Sequence, residues 1–128
     1  MGKRPTVCGL VLCHRLEVDK DLHQMSLRDL YMAFSYPKFP TPRRHCTGYC
    51  ILADGQGEGA LSLVCTQLET ERDLNSVTRW YVFNESQTSM HCEMRLRQLV
   101  FPKPGKYAFT LFFDGEALAT RFLDVGQS

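Results

Sequence analysis

The 128-residue chain has no apolar run approaching the roughly 20 residues that span a bilayer as a helix. It also lacks an excess of charge of either sign: Lys+Arg total 15 against 14 for Asp+Glu, a formal net charge of +1. That balance gives no long-range field toward nucleic acid or an anionic membrane and leaves room only for a local basic patch. No cysteine pair has C-x-x-C spacing, and no Asp-x-Asp-x-Asp-Gly loop offers calcium its oxygens. Asp54-Gly55-Gln56-Gly57-Glu58-Gly59 is glycine-rich but has no Gly-Lys-Ser/Thr, so it reads as a hairpin turn rather than a phosphate loop. Repeats and low-complexity tracts are missing. Val7–Leu12 is too short for the apolar core of a signal peptide, and His14 and Arg15 follow where small residues should stand. Gly2 with Thr6 matches a myristoylation pattern too short to carry weight. The expectation is one cytoplasmic domain over 1–128, with 44% hydrophobic residues and hence enough to fill a core.

What the sequence does contain is alternation. Met90, Cys92, Met94 and Leu96 alternate with His91, Glu93 and Arg95, the period-two signature of a strand with one wet face. Pro102-Lys103-Pro104-Gly105 reverses the chain. Lys106–Phe113 and Glu116–Val125 flank Asp114-Gly115, a preferred two-residue hairpin turn. Arg44–Ala53 and Gly59–Thr70 read as a second hairpin, Ser76–Phe83 as a further strand closed by the polar run Asn84–Ser89, and Thr6–Leu16 as the first. His23–Tyr36 is extended, although Ser26-Leu27-Arg28-Asp29 fits a capping box and a short helix competes there. Glu69–Asn75 has the composition of a helical turn. The pattern predicts an all-β, two-sheet antiparallel sandwich of about seven to eight strands with at most one short helix. Its expected core includes Leu10, Leu12, Leu63, Cys65, Trp80, Met94, Leu96, Tyr107, Phe109 and Leu111.

The C-terminal run is distinctive. Leu99-Val100-Phe101-Pro102-Lys103-Pro104-Gly105-Lys106-Tyr107-Ala108-Phe109, followed by Phe113-Asp114-Gly115-Glu116 and Leu118, resembles the ending of a bacterial immunoglobulin-like β-sandwich family catalogued only as a domain of unknown function. Val11-Leu12-Cys13, Met25-Ser26-Leu27 and Phe39-Pro40 are similar in order and spacing to that family's start. His14 departs from it, since an aspartate is expected after the cysteine. The resemblance implies a sandwich fold and a bacterial cytoplasmic setting, and brings no catalytic residue.

The chemistry-bearing residues are sparse. Of the six cysteines, at 8, 13, 46, 50, 65 and 92, Cys65 and Cys92 occupy slots that the alternation assigns to an apolar side chain, which favours buried thiols. Cys46 and Cys50, with His45, could contribute to a zinc site only if Gly48 broke the strand, because residues four apart in a strand stand about 13 Å apart. Cys13-His14 and His45-Cys46 are sequence neighbours, so in a strand they point to opposite faces and form no dyad. No enzyme and no cofactor are expected. Arg79, Arg95 and Arg97 form a possible basic surface, with Lys3, Arg4, Arg43 and Arg44 clustered elsewhere. Phe101, Phe112, Phe113 and Phe122 exceed what one core face needs and mark a possible interface. The reading is a non-enzymatic interaction or accessory module docking on another subunit or a second copy. The alternatives are a nucleic-acid-binding accessory domain, or a small zinc-binding domain using Cys46 and Cys50.

Overall fold

The computed structural model of the chain describes residues 4–22, 24–84 and 89–128. Met1, Gly2, Lys3 and most of the polar run after Asn84 lie outside the described residues. Nine strands follow one another: β1 (Thr6–Asp19), β2 (Gln24–Leu30), β3 (Ala33–Tyr36), β4 (Arg44–Ala53), β5 (Glu58–Gln67), β6 (Arg72–Val82), β7 (Ser89–Leu99), β8 (Gly105–Phe113) and β9 (Glu116–Gln127). They form a four-stranded sheet, β2-β1-β4-β7, and a five-stranded sheet, β3-β9-β8-β5-β6. The all-β expectation therefore holds, with nine strands in place of seven or eight. No helix occurs among the described residues, and none is long and apolar enough to cross a membrane.

Three expectations about connectivity are corrected. The region 23–36 is not one strand or a helix: Tyr31 donates its amide to the Leu12 carbonyl, and the chain then leaves the first sheet to run parallel to β9 in the second. The sandwich is thus antiparallel except at this one pair. The segments on either side of residues 54–57 are not a hairpin either. β4 pairs with β1 and β7 while β5 pairs with β6 and β8, so this glycine-rich loop carries the chain between sheets. Residues 68–71 form the turn of the β5–β6 hairpin, with Glu71 at φ 55° and no helix. The Asp114-Gly115 turn forms as its residue types require, with φ of 48° and 83°.

Alternation then fills the space between the sheets. Leu12, Cys46, Cys50, Leu52, Cys92, Met94 and Leu96 come from the first sheet, and Leu61, Leu63, Cys65, Phe109, Leu111, Leu123 and Val125 from the second, in one contiguous core. Cysteine serves there as the small hydrophobe its slots suggest. Gly48 lies in mid-strand opposite Leu12 and Met94; a Cβ at that position would come within 2.5 Å of the Leu63 side chain, so the two sheets approach closely here. At one end, Phe101 packs edge-on against Tyr107 with ring centroids 4.6 Å apart. The Tyr107 hydroxyl donates to the Lys103 carbonyl, and Thr41 both donates its amide to the Phe101 carbonyl and accepts the Phe101 amide on its hydroxyl, each at 3.0 Å. Tyr107→Phe should leave that carbonyl without its buried donor and lower stability by about 1–3 kcal/mol in urea unfolding, without changing far-UV circular dichroism.

Candidate functional site

Two surfaces stand out. The first is the outer face of the five-stranded sheet. Leu61, Leu63, Cys65, Tyr107, Phe109 and Leu111 point inward, so their neighbours point out: Ala60, Ser62, Val64 and Thr66 on β5, and Ala108, Thr110 and Phe112 on β8. Register carries the face onto β6 through Ser76, Thr78, Trp80 and Val82, and onto β9 through Ala117, Thr120 and Phe122. None of these is charged. Glu58, Asp73 and Lys106 appear near the strand ends, and Asp124 pairs with Lys106 across β8 and β9 at the margin of the face. Trp80 is 62% exposed, Val82 60% and Phe122 56%. The face's hydroxyls are largely satisfied within it: Ser62 with Thr78 at 2.8 Å, Thr110 with Thr120 at 3.2 Å, and Thr66 donating to Asp73 at 3.0 Å.

This geometry revises several expectations. Trp80 is not in the core. β6 is an edge strand whose inward side is taken by Val77 and Tyr81, which pack on the core, so the tryptophan turns outward. Of the four phenylalanines proposed as an interface, Phe101 and Phe113 are buried and cannot present one: Phe101 is sealed by Tyr107, and Phe113 packs edge-on against Phe83. Phe112 and Phe122 lie on the outer face, on neighbouring strands. A further group of exposed apolar side chains, among them Val18, Met25 and Leu30, sits on the β1–β2 hairpin, interleaved with the Arg15–Glu17–Arg28 ion pairs at 2.9 and 2.8 Å.

The second surface lies where β6 and β7, the edges of the two sheets, approach each other. Arg79 of β6 and Arg95 and Arg97 of β7 line one groove of about 600 Å³ together with Asn75, Ser76, Val77 and Glu93. Arg79 donates to the Glu93 carbonyl at 3.3 Å and lies 5.9 Å over the Tyr81 ring. Arg95 grips the Glu93 carboxylate through two nitrogens at 2.8 and 2.7 Å. Asn75 donates to the Arg97 carbonyl at 2.7 Å. Arg95 and Arg97 also line a second, less polar cavity of about 290 Å³ with His14, Arg15, His45 and Thr47, on the outer side of the four-stranded sheet. Sequence reasoning grouped the three arginines and weighed His14 and His45 only beside cysteines; the two rings come within 6.4 Å of each other, next to Arg95 and Arg97, because β1 and β4 are neighbours.

The cysteines are poor ligands. Gly48 stays in the strand, so the loop that a Cys46–Cys50 zinc site requires does not form, and both thiols point into the core. Among the described residues no cluster of three or more His, Cys, Asp or Glu is arranged to hold a metal ion. Burial, aided by the nearby Cys13, pushes the Cys46 thiol up to about 12, and burial aided by Cys92 does the same for Cys50. Burial also raises Cys65, Cys92 and Cys13. A folded pKa above the unfolded value means that the contribution to stability is complete below about pH 8.5, where unfolded thiols keep their protons. It is then lost as pH rises toward 12. With iodoacetamide at pH 8, the exposed Cys8 should label rapidly, and the five buried cysteines only after denaturation.

A search of curated proteins finds no match to the chain. Residues 9–126, nearly the whole of the fold just described, match a family model, and the chain belongs to the family of unknown function DUF6941.

Proposed function

We propose that the protein is a non-enzymatic docking module of immunoglobulin-like architecture, and that its docking surface is the outer face of the five-stranded sheet. Two features support the architecture. β3 runs parallel to the last strand β9, while the chain crosses between sheets in Greek-key fashion. Tyr107, near the start of β8, bonds back to the Lys103 carbonyl four residues upstream, as in a tyrosine corner. A core filled by five cysteines suits a reducing compartment and supports the cytoplasmic reading.

The observation that carries the docking role is the uncharged outer face itself, with aromatic residues exposed on both flanks and hydroxyls already paired. Covering such a face removes apolar area from water and strands few polar groups. The occupant is a second copy of the chain. Four strands by eight residues measure roughly 19 by 26 Å, about 500 Å² in projection, and the side chains standing off that surface bring it toward the ~800 Å² per partner of a standard interface. Two-fold symmetry brings a face onto itself, which a field of like charges would oppose and this face does not.

Sedimentation velocity should show a concentration-dependent dimer. Thr110→Arg, in the middle of the face, should weaken it by about 100-fold by burying an unpaired charge, with the thermal midpoint of the monomer retained. A monomer at the highest soluble concentration, or a dimer indifferent to Thr110→Arg, would overturn the reading.

A further inference from the structure

We infer that the groove between β6 and β7 binds a small organic phosphate, its phosphates among Arg79, Arg95 and Arg97 and its less polar part in the adjoining cavity beside His14 and His45. This does not rest on the docking reading, because Arg79 lies on the opposite side of β6 from Trp80. Three guanidiniums and one carboxylate leave the groove with a surplus of two positive charges. Arg97 has no ion-pair partner among the described residues, whereas Arg79 is held by a carbonyl and a ring, and Arg95 by the Glu93 carboxylate. Two of the three cations are therefore positioned before a ligand arrives, and the planar fork of a guanidinium matches phosphate oxygens in pairs.

Size and charge select the class of ligand. A volume of about 600 Å³ suits a small molecule. The adjoining 290 Å³ cavity, reached past the shared Arg95 and Arg97, has room for a ring beside the His14 and His45 imidazoles. A nucleic-acid strand would draw on many phosphate contacts and a broad positive field, and the net charge of +1 supplies no such field.

The test is isothermal titration calorimetry of the full chain with sodium pyrophosphate, with ADP, and with a short oligothymidylate. ADP should bind saturably and more tightly than pyrophosphate. Arg97→Ala should weaken both by about tenfold or more, since it removes charge-assisted hydrogen bonds. His45→Ala should weaken ADP and leave pyrophosphate unchanged; both side chains are exposed, so folding is kept and is checked by thermal melting. No saturable binding of either anion below about 1 mM would overturn the inference. So would binding insensitive to Arg97→Ala, or ADP binding no tighter than pyrophosphate. An oligothymidylate bound more tightly than ADP, with steep salt dependence, would replace it with a nucleic-acid surface.

Discussion

The junction of Thr41, Phe101, Lys103 and Tyr107 ties two of the segments that cross between the sheets to each other and to the start of β8. Of the eight connections, only β1–β2, β5–β6 and β8–β9 join strands of one sheet, and the other five cross between sheets. A crossing segment cannot satisfy its backbone in a ladder, so each needs another partner. The β3–β4 and β7–β8 crossings solve this by bonding to each other through Thr41 and Phe101, and the Tyr107 hydroxyl takes the Lys103 carbonyl. With that end closed, β8 lies centrally between β9 and β5, and the outer face of its sheet is presented as a continuous surface.

The sequence made the fold class and most strand positions legible because period two is a local property. The Asp114-Gly115 hairpin could be read from its turn chemistry alone. Pairing could not be read in the same way. Nothing local distinguishes Gly55-Gln56-Gly57 as an inter-sheet loop from the same residues as a hairpin turn; the choice depends on whether β5 finds β4 or β8, and the distant sequence decides it. Trp80 was misassigned for a related reason. Alternation shows that Arg79 and Tyr81 share a side, yet only the position of β6 at a sheet edge reveals which side is wet. Phe101 and Phe113 look surplus when counted against one core face, whereas each is buried where the chain leaves a strand, Phe101 against Tyr107 and Phe113 against Phe83. The grouping of Arg79 with Arg95 and Arg97 was legible as composition, whereas its meeting point, with two histidines added, belongs to the tertiary fold.

The two candidate surfaces divide the molecule by the physics of what they would cover. One is flat, dry in its hydrogen bonding and neutral, and gains by removing area from water. The other is concave, wet and cationic, and gains by charge-assisted hydrogen bonds. They meet only at β6, where Trp80 and Arg79 are sequence neighbours pointing to opposite sides. A ligand at the groove and a second copy on the sheet would therefore hold the same edge strand from its two sides.

The parallel partnership of β3 and β9 also bears on how the chain is made. Ala33 meets Asp124 in register, so the two are separated by 124 − 33 = 91 positions. At a synthesis rate of about 5–20 residues per second, β3 waits on the order of ten seconds for its only neighbour in the sheet. Until then the five-stranded sheet is one strand short of the pair that ties the early chain to the late one, and contacts of such long range form slowly. The five-stranded sheet consequently closes only after β9 has been made, the strand that fastens the early β3 to β8.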